Sequence, residues 1–246
     1  QQTRPTPVRK FRLPDLRPLP TCKRWTAISD HDPPGDRPVA QCGPLCMRPA
    51  GLLYLKNMQL ETKRLLLREF RESDWTAVLA YQNDPRYLRY YHWTERTAED
   101  VQAFVQMFLS QQKERPRRNF QLAIVPKTSG QLIGNCGVRI NDADLREANI
   151  GYELASQHWG KGYATEAAGE ILRFSFADLG MHRIWAETIA ENEGSARVLE
   201  KVGMRLEARE REKEWIKDRW HDRLVFAILD HEWQTLEQPS RFGNKL

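Results

Sequence analysis

The stretch with the clearest capacity for chemistry is Gln157-His158-Trp159-Gly160-Lys161-Gly162-Tyr163-Ala164, where two glycines flank a lysine between a strand-like run and a helix-like run. The first N–H groups of a helix lack intrahelical partners, and the helix dipole adds partial positive charge at that end. Glycines let the backbone approach an anion closely and adopt angles that other residues resist. A loop of this kind suits a pyrophosphate. Two familiar phosphate loops do not fit. Gly160-Lys161-Gly162 lacks the third glycine of a dinucleotide fingerprint, and Lys161 is followed by Gly162 rather than by the serine or threonine of a P-loop. Taken alone, the stretch is equally well a plain strand-to-helix turn.

The flanking pattern predicts the elements that must position this loop. Leu60 to Phe70 alternates as a half-buried strand does. Ser73 is placed to cap a helix running to about Asn83. A loop from Asp84 to Arg96 carries Tyr87, Tyr90, Tyr91, His92 and Trp93, and Thr97 opens a second helix to about Lys113, with Val101, Phe104, Val105, Phe108 and Leu109 on its apolar face. Phe120–Val125 and Gln131–Ile140 pair as a hairpin through a turn at Pro126–Gly130. Ala148–Ala155 is the strand that feeds the glycine loop, and Tyr163 to Leu179 the helix that leaves it, with Gly180 as its stop. His182–Ile189 is a strand, Asn192 caps a helix through Val202 that Gly203 closes, and Met204–Lys213 pairs with Trp220–Leu229 around Lys217-Asp218. The predicted order is β-α-α-β-β-β-α-β-α-β-β, a mixed α/β fold.

Composition bounds the rest. Hydrophobic residues make up 40% and charged residues 29%, enough to bury a core. No run approaches the roughly 20 apolar residues that span a bilayer, and no apolar segment of a secretory signal is visible, so a cytoplasmic protein is expected. The net charge of +5 is unevenly placed. Residues 1–57 hold ten Lys/Arg against four Asp/Glu, and the remainder holds 28 against 29, so charge gives no support to nucleic-acid binding. Ten of the fourteen prolines also fall in residues 1–57, which predicts a Pro-rich basic leader without regular structure. It is a disordered tail, upstream sequence joined to a start at Met58, or, least in keeping with one serine and four acids, an organelle transit peptide. Cys42 and Cys46 have no second pair at zinc-ligand spacing, so no metal is expected. The domains expected are the leader 1–57, a catalytic domain 58–233 and a tail 234–246.

The segment Gly151–Ala167, with Gln157-x-x-Gly160-x-Gly162 inside it, resembles the acetyl-CoA pyrophosphate loop of GNAT-superfamily N-acetyltransferases, in the branch typified by the RimJ/RimL ribosomal-protein N-terminal acetyltransferases. Leu60-Glu61-Thr62-Lys63-Arg64-Leu65-Leu66-Leu67-Arg68 resembles that branch's opening strand, and Asn192 to Met204 its later helix. The resemblance implies the GNAT fold: a central, mostly antiparallel sheet in which one parallel strand pair, here Ala148–Ala155 and His182–Ile189, splays apart to admit the pantetheine arm. It implies acetyl-CoA as co-substrate, backbone contacts to it near Leu154 and Ala155, and a loop contributed by Gln157, Trp159, Gly160, Lys161, Gly162, Tyr163 and Ala164.

Acetyl transfer to an amine needs a neutral amine, a stabilised thioester oxygen and a protonated leaving thiolate. On the resemblance, Glu153 is the base, directly or through water, or else a structural or substrate-orienting glutamate. Many family members carry an acidic tyrosine on the later helix, where this chain has Leu199. Ser195 would meet the sulfur instead, unless it is an ordinary helical serine. Asn192 contacts the cofactor, caps its helix, or does both. Tyr90, Tyr91 and Trp93 line the acceptor site or cap the core. The expected partner is an amine, a protein N-terminus or a small molecule, with the enzyme a monomer or homodimer. A non-catalytic CoA-binding module is the reading from another class.

Overall fold

The computed structural model describes residues 58–237. The expected leader and most of the expected C-terminal tail lie outside the described residues. Eight strands form one sheet in the order β1-β2-β3-β4-β5-β6-β8-β7: β1 (Gln59–Glu61), β2 (Leu65–Glu69), β3 (Asn119–Pro126), β4 (Gly134–Asp142), β5 (Glu147–Leu154), β6 (Arg183–Ile189), β7 (Arg205–Ile216) and β8 (Arg219–Leu229). Every neighbouring pair is antiparallel except β5 and β6. This is the mixed α/β architecture expected.

Both faces of the sheet are covered. Phe120, Leu122 and Ile124 of β3 point to one face, where they pack with Leu65, Val138, Ile150, Ile184 and Phe226 beneath α4 (Tyr163–Arg173) and α5 (Glu193–Lys201). Ala123 and Val125 point to the other, with Phe70, Val78, Val101, Val105 and Phe108 of the layer built by α1 (Trp75–Gln82), α2 (Pro85–Leu88) and α3 (Ala98–Gln111). A strand buried on both faces is a near-continuous apolar run, and β3 is one.

Five elements depart from expectation. The strand expected over Leu60–Phe70 is two strands, because Thr62 turns the chain: its Oγ accepts from Leu65 N at 2.9 Å and its amide donates to the Leu65 carbonyl at 3.0 Å. Ser73 does not cap α1. Asp74 takes the Arg71 amide at 2.8 Å in a short 3₁₀ turn, and the helix starts at Trp75. The Asp84–Arg96 segment contains α2, with Asp84 as its cap and Pro85 in its first position. The long helix after the glycine loop ends as a π-helical turn over Phe174–Asp178 before Gly180 reverses the chain at φ +67°. A last helix, α6 (Asp230–Glu237), runs past the expected domain end at Trp233, whose ring stacks on Phe176 at 5.3 Å. The final hairpin does turn at Lys217-Asp218, both at positive φ.

Candidate active site

The pairing of β5 with β6 is short. Glu147, Ala148 and Asn149 face Arg183, Ile184 and Trp185, and the ladder stops there. Ile150–Leu154 and Ala186–Ile189 continue without bonding each other, so the parallel pair splays. A cleft of 630 Å³ occupies the opening, with Tyr152, Glu153 and Leu154 on one wall and Glu191, Asn192 and Ser195 on the other.

Successive strand residues point to opposite faces. Glu153 therefore stands on the α1–α3 face, and Tyr152 and Leu154 on the α4–α5 face, yet one cleft reaches them all. Glu153 Oε2 accepts from the Tyr81 hydroxyl, the Gln82 amide and the Asn135 amide, each at 3.1 Å. Asn135 also donates to Tyr81 at 2.9 Å, and Gln121 donates to Asn135 at 2.6 Å. Charged acceptors make the stronger hydrogen bonds, so this network holds the carboxylate in one orientation. Burial, then the Glu153 charge, raises the pKa of Tyr81, Tyr87 and Tyr91, so these phenols stay protonated and neutral.

On the opposite face, the Tyr152 hydroxyl donates to the Ser195 carbonyl at 2.9 Å, and its oxygen accepts from Ser195 Oγ at 2.9 Å. Asn192 caps α5 by accepting from the Ser195 amide at 3.2 Å, so the serine sits in the first turn, at the cleft. Leu199 is buried in the core and offers no hydroxyl. Tyr152 is absent from the residues expected at the site, although strand alternation beside Glu153 puts its ring on the face that α5 covers.

The glycine loop turns through left-handed backbone at both glycines. Gly160 lies at φ +74° and Gly162 at φ +77°, both in the left-handed region that favours glycine. Gly162 is the N-cap of α4 and supplies no side chain to the orphan N–H groups behind it. Trp159, Gly160, Gly162, Tyr163 and Ala164 line the cleft, as does His158, whose pKa burial and then Lys161 push down.

Other expected contacts are placed differently. Lys161 and Gln157 are exposed and stand outside the lining. The Ala155 amide donates to Ile133 O at 2.8 Å, and the Leu154 carbonyl takes the Trp159 indole at 2.7 Å, because the chain folds straight back over the strand end. Those two groups are already partnered, although the Leu154 side of the cleft is as expected.

The aromatic segment divides. Tyr87, Tyr90 and Tyr91 line the cleft with the exposed Arg89. Trp93 does not. It closes a stack in which Tyr87 and Tyr91 are 4.4 Å apart and Tyr91 and Trp93 4.7 Å, and it packs on the α1–α3 core, so it supports the wall rather than forming it. Two contacts fix this segment. Asp84 accepts the Ser156 hydroxyl, a bond that with those from Arg86 holds its carboxyl down at about 2, and Lys217 Nζ donates to Leu88 O at 2.9 Å. Glu191 enters the cleft wall held by His221 at 3.0 Å and Arg219 at 2.9 Å, from a hairpin far along the chain. Among the described residues no group of three or more His, Cys, Asp or Glu side chains could hold a metal ion.

Residues 64–205 match the family model described as the acetyltransferase (GNAT) domain. The chain is 34% identical to the uncharacterized N-acetyltransferase YnaD of Bacillus subtilis (strain 168), over 72% of this chain and 99% of that protein. It superposes on the crystal structure of the acetyltransferase (GNAT family) from Bacillus anthracis with TM-score 0.62 and 30% identity, over 71% of this chain and 99% of that one. It is 24% identical to the spermidine N(1)-acetyltransferase of Vibrio cholerae, over 69% of this chain and 95% of that protein.

Proposed function

The chain belongs to the GNAT acetyltransferase family and is an acetyl-CoA-dependent N-acetyltransferase, and from that premise we propose that it acetylates the α-amine at the N-terminus of a protein, with Glu153 as base and Ser195 as donor to the leaving sulfur. The observation that carries the division of roles is the single cleft reaching both faces of the splayed sheet. The thioester lies in the splay, and the amine comes from the Glu153 face. The three donors on Oε2 leave Oε1 to take the amine proton, directly or through a water. The sulfur departs toward α5, where Ser195 Oγ–H turns from the Tyr152 oxygen to meet it, while Tyr152 keeps the serine in place through the Ser195 carbonyl. The diphosphate lies on the glycine loop and the uncapped N–H groups of α4.

Three things support a protein N-terminus as acceptor. On the lining Arg89 is exposed and Tyr90 and Tyr91 are half-buried, so this wall reaches the surface, where a chain end can enter while the rest stays outside. Tyr90 and Tyr91 give this wall apolar ring edges with polar tips, which suit a peptide. The loop motif resembles that of the RimJ/RimL branch. This reading puts the enzyme in the cytoplasm, where new chains expose their first residue. One observation favours a small polyamine instead: Glu191 and Glu193 add two carboxylates to Glu153 on the cleft lining, and a spermidine acetyltransferase is among the relatives. Release of CoA thiol from acetyl-CoA separates the two. An alanine-initiated peptide is expected to exceed spermidine in kcat/KM by about tenfold or more, the discrimination that a few well-placed polar contacts provide. The reverse ranking would establish the small-amine reading.

A further inference from the structure

The opening Thr62-Lys63-Arg64 turn lies outside the cleft lining, yet it grips the glycine loop. Thr62 Oγ donates to Glu166 Oε1 at 2.6 Å, and the Arg64 amide donates to the same oxygen at 2.8 Å. Arg64 Nε donates to Glu166 Oε2 at 2.6 Å, and its Nη1 donates to the Lys161 carbonyl at 2.9 Å. The guanidinium also lies over the Tyr163 ring, 4.6 Å from its centre. One planar fork therefore spans the carbonyl between the two glycines and the carboxylate in the first turn of α4. Burial opposes ionisation of Glu166, but Thr62, the Arg64 amide and the Arg64 guanidinium together hold its pKa below the usual value.

That carboxylate is a liability beside an anion. A glutamate in the first turn of α4 adds negative charge at the same helix end whose dipole a diphosphate needs. Unpaired, it would compete with the ligand and repel it. Glycines at positive φ also leave the loop free to rearrange, because no side chain limits their angles.

We propose that Arg64 is a positioning residue for acetyl-CoA: by bridging Lys161 O and Glu166 it holds the glycine loop in its binding shape and takes the carboxylate out of competition for the helix N-terminus. The proposal rests on the reading that residues 159–164 bind the diphosphate. Arginine is required because its rigid fork reaches both acceptors at once, which an ammonium cannot do.

The test is calorimetric affinity of the full chain for acetyl-CoA, with the ligand-free melting temperature recorded beside it. Arg64→Ala is expected to weaken binding about tenfold, the scale of a charge-assisted, two-point contact. Its melting temperature should fall by only about 2–4 °C, since the ion pair is partly exposed. Arg64→Lys should recover little of the affinity. Lys127→Ala, which breaks the Lys127–Glu61 pair at a cation as exposed as Arg64, should leave it unchanged. Wild-type affinity in Arg64→Ala, with a clear loss in Gly160→Val, would overturn the latch and keep the loop. Wild-type affinity in both would overturn the loop reading itself. If Arg64→Ala does not fold, Arg64→Lys decides: full affinity there means charge alone suffices, and the positioning role is wrong.

Discussion

Glu153→Gln is expected to lower kcat/KM by about 10²–10⁴-fold near neutral pH, the usual contribution of a positioned general base. Glutamine keeps the shape and leaves an oxygen that Tyr81, Gln82 and Asn135 can still engage, so the loss reports the proton acceptor and not a collapsed network. Its sign with pH follows from the acceptor. A free α-amine titrates at about 7.7–8.0. Below that range nearly all of it must be deprotonated on the enzyme, and above it the neutral form arrives ready to attack. The defect should shrink as pH rises. Ser195→Ala removes a donor to the sulfur, whose need does not vanish when the amine is neutral, so its defect should persist on the alkaline side. Acetyl-CoA should bind both variants, because the loop is untouched. Profiles of kcat/KM against pH for the three proteins make the comparison, and a Glu153→Gln profile parallel to wild type with little loss would remove Glu153 from the role.

Gly160→Val should weaken acetyl-CoA binding by about 10–100-fold. Gly160 stands at positive φ. A β-branched residue there carries a backbone cost of order 1–3 kcal/mol, and that cost converts to roughly this range of affinity. No protein atom lies within 4 Å of the Cβ that would be added, so the effect comes from the backbone and from the space a diphosphate takes. Lys161→Ala should cost less than about fivefold, because an exposed ammonium contributes little. Thermal denaturation gives a second readout. A ligand that binds only the folded state adds about 2.7 kcal/mol at a hundredfold excess over Kd. Acetyl-CoA should therefore raise the wild-type melting temperature strongly and that of Gly160→Val only slightly. Equal losses for Gly160→Val and Lys161→Ala would contradict binding through backbone groups.

The parts of this site that are legible in the amino-acid order are those encoded locally. Two glycines around Lys161 announce left-handed backbone before a helix, Asn192 announces a cap, and both stand where expected. Lys217-Asp218 is legible as a two-residue turn because strand-like runs end on either side of it. What stays hidden depends on partners distant in the chain. The donors around Glu153 come from Tyr81, Gln82 and Asn135, and nothing near Glu153 announces them. Glu191 enters the cleft through His221 and Arg219 on β8. The Thr62 turn escapes a reading by pattern because Leu60 to Phe70 alternates straight through it, and a hydroxyl bond, not a hydrophobicity break, ends the strand. Trp93 and Tyr91 are indistinguishable by type and spacing. Only packing decides that Tyr91 is a wall of the cleft and Trp93 its support.

The most direct measurement is the site of acetylation on a defined acceptor. An alanine-initiated peptide with an internal lysine, incubated with acetyl-CoA and enzyme and read by tandem mass spectrometry, should gain one acetyl group on its α-amine. The same peptide with a blocked N-terminus should gain none, and Glu153→Gln should slow the modification without moving it. Acetylation of the lysine or of spermidine with the α-amine untouched would contradict the acceptor assigned here. Binding of acetyl-CoA with no transfer to any of these amines would contradict the account of the cleft as a site of transfer.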